Sequence, residues 1–132
     1  MGGWGAGSFE NDDAQDFLGT LHEKQPADLQ NILSDTADHE GYLEAPGCSV
    51  AIAAAEVVAT AKGNPPQAVP KQIAEWVSKV EGAPSAEMLD LARRAVERVR
   101  NDSELKDLWL EAEGLNEWST ALRDLESRLA TS

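Results

Sequence analysis

The chain has 132 residues, of which 42% are hydrophobic and 27% charged. That is the size and balance of one folded domain and excludes disordered, collagenous and disulfide-scaffold classes. Eleven Lys and Arg stand against 24 Asp and Glu, for a net charge of −13, which excludes a binder of DNA or RNA backbones because phosphate neutralisation needs clustered bases.

β-branched residues are sparse, Ala, Leu, Glu and Arg dominate, and no stretch alternates apolar and polar residues for long. The expected fold is therefore all-α: a single compact bundle of six to seven short helices around an Ala/Val-rich central helix. A Gly-rich segment, residues 1–10, is expected to dock on the domain through Trp4 and Phe9. Asn11 is placed to cap a first helix at Asp12 and Asp13, whose carboxylates complement the positive end of its dipole. Ala14, Phe17, Leu18 and Leu21 give that helix one apolar face. Pro26 suits the first turn of a second helix, with Leu29, Ile32 and Leu33 inward, fading near Asp38 into a loop through Gly41, Pro46 and Gly47.

Ser49 is expected to cap the central helix, Val50 to about Lys62, which is apolar on every face and is stopped by Gly63, Asn64, Pro65 and Pro66. Ile73, Trp76, Val77 and Val80 then repeat at helical spacing. Ser85 caps a longer helix with Leu91, Ala92, Ala95, Val96 and Val99 on its core side. Ser103 starts a short helix carrying Leu105, Leu108 and Trp109, and Gly114 ends it. Asn116 is expected to cap the last helix, with Trp118, Leu122, Leu125 and Leu129 in line.

No pattern in the chain specifies an active site. The run Gly2-Gly3-Trp4-Gly5-Ala6-Gly7 lacks the preceding strand of a phosphate loop and leads into Glu10, Asp12 and Asp13, which would repel phosphate. Glu10, Asp12, Asp13 and Asp16 offer oxygens to a cation but not at EF-hand spacing, and His22-Glu23 and His39-Glu40 form no H-E-x-x-H. No cofactor and no metal is expected. Glu56 is the most informative residue, because it interrupts an apolar helix and a buried carboxylate needs a partner or a route to water. It is read either as paired with an arginine such as Arg93, Arg94 or Arg98, or as a general base in a cleft.

A lone Cys48, the absence of a basic and apolar leader at the start and the lack of a myristoylation serine point to the cytoplasm. The longest apolar stretch, Val50 to Ala61, falls short of the ~20 residues that cross a bilayer, so no membrane partner is expected. Charge is uneven: residues 1–61 hold Lys24 against eleven acids, whereas residues 62–132 hold ten bases against thirteen. Asp12, Asp16, Asp35, Asp38 and Glu40 are the candidate binding residues, at least part of that acidic set being expected to share a face.

The opening Trp4-Gly5-Ala6-Gly7-Ser8-Phe9-Glu10-Asn11-Asp12-Asp13-Ala14, with Asp16-Phe17, resembles the start of the bacterial domain-of-unknown-function family numbered 4259. The helix around Ala53-Ala54-Ala55-Glu56, the segment from Ser103-Glu104-Leu105 to Trp109, and Trp118 resemble it too. The resemblance implies a small bacterial cytoplasmic protein and supplies no catalytic residue. It singles out Trp4, Phe9, Asn11, Asp12, Asp16 and Glu56, with Trp109 and Trp118 as further structural positions. Three functions compete: a non-enzymatic acidic module recognising a basic protein, as an inhibitor or immunity protein does; a metal-dependent or acid-base enzyme using the N-terminal carboxylates, a histidine and Glu56; and a structural component of an assembly. The oligomeric state is not set by the sequence.

Overall fold

The computed structural model describes residues 8–80 and 82–130, and over these the chain is all-α, with no strand. Seven helices follow in order: α1 (Asp12–Thr20), α2 (Pro26–Ala37), α3 (Ala45–Lys62), α4 (Lys71–Lys79), α5 (Ala86–Asn101), α6 (Glu104–Glu111) and α7 (Leu115–Ala130). A single 3-10 turn, Leu21–Glu23, links α1 to α2.

α3 is the axis of the bundle. Eleven of its residues are buried, most of them Ala or Val, and small side chains let neighbouring helices approach it closely from every side. α1, α2, α4, α5, α6 and α7 all pack on it, and α5 also packs against α2 and α7. The flanking helices are amphipathic in the ordinary way. Phe17 and Leu18 of α1, Leu29 and Leu33 of α2, Ile73 and Trp76 of α4, Leu91, Val96 and Val99 of α5, and Trp118, Leu122, Leu125 and Leu129 of α7 are all buried, each at the 3.6-residue recurrence that puts one stripe inward.

Most helix starts lie where their caps are written. Asn11 accepts from the Ala14 N–H at 2.8 Å, Ser85 from Met88 and Ser103 from Lys106. Two starts differ from the sequence reading. α3 begins at Ala45, not Val50, so Pro46 and Gly47 lie in its first turn and Ser49 is a buried residue within it. The cap comes from elsewhere in the chain: the Ala45 N–H donates to Glu104 Oε1 at 2.7 Å while the Glu104 N–H donates to the Leu43 carbonyl at 2.8 Å. A pair of bonds spanning about sixty positions leaves no local signature for Pro46 and Gly47 to show. α7 begins at Leu115, because the Gly114 carbonyl already accepts from the Trp118 N–H, and the exposed Asn116 is inside the helix.

The turn from α6 to α7 is tight. Gly114 N–H reaches back to the Trp109 carbonyl and Glu113 N–H to that of Leu110, the paired bonds of a Schellman ending. Glu113 sits in the left-handed region at φ 61°, a position usually held by glycine. Gly114 is needed for close approach, since a Cβ there would lie 2.7 Å from Trp109 Cε3. Of the positions singled out by the sequence, Trp118 is buried, Trp109 and Phe9 are half-buried against the core, and Trp4 lies outside the described residues. No described helix is long and apolar enough to cross a membrane.

Candidate functional site

Glu56 lies on the side of α3 that faces α1 and α7, with its side chain 4% exposed. Its partner is Arg128 of α7, not an arginine of α5. Arg128 Nη1 and Nη2 donate to Glu56 Oε1 and Oε2 at 2.8 and 3.2 Å, a bidentate fork. The sequence reading looked to α5 because its arginines are dense, but they are engaged elsewhere. Arg93 and Arg94 hold Asp90, Arg94 also reaches Asp38 at 3.4 Å, Arg98 donates to the carbonyls of His39 and Gly41, and Arg100 forks onto Glu126.

The segment before α1 completes the cluster, because Ser8 Oγ donates to Glu56 Oε2 at 2.7 Å. Arg128 is held from its other side by Asp124 one turn back, Nε to Oδ2 2.8 Å, and Asn64 of the α3–α4 turn donates to the Arg128 carbonyl. Burial works against the charge of Arg128, but the hydrogen bond and charge of Glu56, then those of Asp124, outweigh it and hold the guanidinium above its ordinary value. Glu56, Arg128 and Asp124 floor an open cleft of ≈ 660 Å³ whose walls are Ser8 to Glu10 and the turn residues 66–70.

This arrangement is a poor start for acid-base chemistry. A general base needs a lone pair free to face substrate, yet both Glu56 oxygens are engaged by the guanidinium and one also by Ser8. Neither histidine lines this cleft: His22 borders a separate hollow with Glu75 and Trp76, and His39 lies in the loop closed by Arg98. Among the described residues, no three His, Cys, Asp or Glu side chains converge as a metal site would require. A further groove of ≈ 250 Å³, between Leu29, Val58, Trp76, Val80 and Met88, has no ionisable side chain among its described lining residues.

The candidate acidic residues fall into two groups. Asp12 and Asp16 are exposed on α1, and Asp35, Asp38 and Glu40 are exposed at the end of α2. α1 and α2 do not pack on each other. The packing of α5 on α2 brings bases to the second group, and Asp38 is paired with Arg94 there. Among the described residues Asp12, Asp16, Asp35 and Glu40 have no ion-pair partner, the bases of the ion pairs all coming from α4, α5 and α7.

The sequence reading missed Ser8, Asp124 and Arg128. Ser8 stood inside the opening motif, and Asp124 with Arg128 was a visible i,i+4 pair, but nothing aimed that pair at a carboxylate 72 positions away. Of the apolar residues carried by the short helix α6, Leu105 and Trp109 pack against the core whereas Leu108 is 46% exposed.

The family model for the domain of unknown function DUF4259 matches residues 2–121. No curated protein and no solved structure matches the chain.

Proposed function

The chain belongs to the DUF4259 family, whose description carries no activity, and we propose that it is a bacterial, cytoplasmic, non-enzymatic module whose acidic surface binds a basic protein, as an inhibitor or immunity protein covers a cationic site. One observation carries this reading: exposed carboxylates at two edges of the bundle, Asp12 and Asp16 on α1 and Asp35 and Glu40 around the end of α2, have no cationic partner among the described residues. An excess of one sign left uncompensated at the surface raises the encounter rate with a basic partner. The engagement of Glu56 by Arg128 and Ser8 supports the non-enzymatic half of the reading, since it spends the best-placed carboxylate on the fold.

The test begins with proteins of the native host retained on the immobilised chain, followed by reconstitution from purified components. A basic partner should bind one-to-one, with an association rate that falls steeply as salt rises through ~0.15 M, where screening acts over about 8 Å. Asp12→Lys with Asp16→Lys, or Asp35→Lys with Asp38→Lys, should slow association further. A reconstituted rate indifferent to salt and to both pairs of substitutions overturns the reading.

A further inference from the structure

The cleft at Glu56 has a wall that is lightly built. Residues 8–10 belong to no helix and run as turn and bend into Asn11. Among the described residues their fastenings are slight. Ser8 Oγ donates to Glu56 Oε2 at 2.7 Å, the Phe9 ring is half-buried against the core, and the Phe9 carbonyl accepts from the exposed Gln15 side chain at 2.7 Å. Glu10 is exposed. From Asn11 onward the chain is held differently: the Asn11 side chain accepts from the Ala14 N–H, its carbonyl accepts from the Gln15 N–H, and Ala14, Phe17 and Leu18 are buried. The step from weak to strong attachment therefore falls at one residue at the end of a helix, which is where a hinge forms.

The Glu56 carboxylate joins parts of the chain that are otherwise apart. It holds Ser8 ahead of α1 through Oε2 and Arg128 of α7 through both oxygens, while α1 and α7 do not pack on each other. The consequences of losing either partner are unequal. When Arg128 leaves, a carboxylate 4% exposed is stranded without its counter-ion. Moving α7 away would also uncover Trp118, Leu122, Leu125 and Leu129. When Ser8 leaves, the Arg128 fork stays and the charge remains paired. The loss is then one hydrogen bond and the half-buried packing of Phe9, and water from the open cleft can replace the hydroxyl. Opening at residues 8–10 is thus a small local event, whereas separating α7 from α3 takes the core with it.

We propose that residues 8–10 are a strap that opens about Asn11 while the helices stay folded, with the Ser8–Glu56 hydrogen bond as its catch. The guanidinium fixes the carboxylate in place, so the strap closes onto a preformed acceptor and its release needs no rearrangement of α3 or α7. Opening removes one wall of the cleft and leaves Glu56 Oε2, still paired with Arg128, facing the space that the Ser8 hydroxyl gave up.

Thermolysin cuts on the amino side of large apolar residues, and it reaches the Ser8–Phe9 bond only in an extended chain with the Phe9 ring drawn from its seat. The rate of that cut therefore reports the open strap. The full chain is digested in buffer and in urea below the unfolding transition, at enzyme concentrations to which the rate is proportional, and the product that begins at Phe9 is followed by mass. The unaltered chain should be cut at a rate that urea scarcely changes, because a local opening exposes little surface. Ser8→Ala should raise the rate about tenfold and Gln15→Ala about threefold. Val96→Ala removes buried methyls from α5, which does not pack on α1. It destabilises the closed and open forms alike, so the cut should keep its rate even as the urea midpoint of unfolding falls. A rate that Ser8→Ala leaves unaltered overturns the proposal. A cut that urea and Val96→Ala accelerate in step with global unfolding overturns it too, as does the absence of this cut from every chain.

Discussion

Replacing Arg128 with Met removes the guanidinium and leaves the Glu56 carboxylate, 4% exposed, with Ser8 as its remaining hydrogen-bond donor. Removing one member of a fully buried pair costs about 3–5 kcal/mol, because the survivor stays desolvated and uncompensated. Two features of this site lower the figure. The Arg128 side chain is 17% exposed, and the pair floors an open cleft from which water can reach the vacated side. Arg128→Met should therefore cost about 2–3 kcal/mol. At roughly 3–5 °C per kcal/mol for a chain of this size, Tm should fall by about 6–15 °C. Arg128→Lys keeps the charge but loses the fork, and about 1 kcal/mol should suffice for it. Chemical denaturation followed by tryptophan fluorescence measures all three chains, and Glu56→Met with Arg128→Met closes a double-mutant cycle. With no charge left to strand, the double variant should be more stable than the sum of the two single changes by about 2 kcal/mol. Additive effects, or a loss below ~0.5 kcal/mol for Arg128→Met, would refute the assignment of Arg128 as the group that neutralises Glu56.

Gly114→Ala places a Cβ 2.7 Å from the Trp109 ring and should destabilise by about 1–3 kcal/mol, the cost of overpacking. Glu113→Gly, one position earlier at φ 61°, relieves a left-handed conformation worth about 1 kcal/mol and should raise Tm by a few degrees; thermal melts check both, with a fall for the first variant and a rise for the second. Cys48, the sole cysteine, is fully buried and burial pushes its thiol above the ordinary value, Ser103 opposing. Ellman's reagent at pH 8 should thus react many times faster in denaturant than in buffer, and equal rates would place the thiol at the surface. Tyr42 is the sole tyrosine, and the Asp107 carboxylate that accepts its O–H pushes the phenol up from 10.0 to about 12. The stability this hydrogen bond lends is fully present below pH 10 and is lost as pH rises through the folded value. Tyrosinate absorbance at 295 nm should therefore titrate near 12, and Asp107→Asn should bring the midpoint back toward 10.

What the sequence made legible were the features whose cause is local. Asn11, Ser85 and Ser103 announce helix starts because a cap acts over three positions, and the inward stripes of α1, α5 and α7 follow from their own periodicity. α3 was legible as a buried helix from its Ala-rich run, but its first turn was not. Pro46 and Gly47 look like loop residues until Glu104 arrives to cap Ala45. The same limit hid the Glu56 partner. The sequence says that a carboxylate among alanines needs a counter-ion, and several arginines in α5 could have supplied it. Only the packing of α7 along α3 selects Arg128, and only the packing of α2 and α7 on α5 commits Arg94, Arg98 and Arg100 elsewhere.

Charge summed along a stretch of chain forecasts a surface only when that stretch folds mainly on itself, and here the helices exchange partners across the two halves. Residues 1–61 carry one base and eleven acids, yet Glu56 is neutralised by α7, and at the end of α2 Arg94 pairs with Asp38 while Arg98 closes the following loop. The half that looked balanced holds Asp102, Glu104, Asp107, Glu111 and Glu113 within twelve positions, with Lys106 as the one base among them. α6 has no fully buried residue, so these acids stay near the surface, and the acidity of the molecule is spread over α1, the end of α2 and α6 instead of being gathered in its first half.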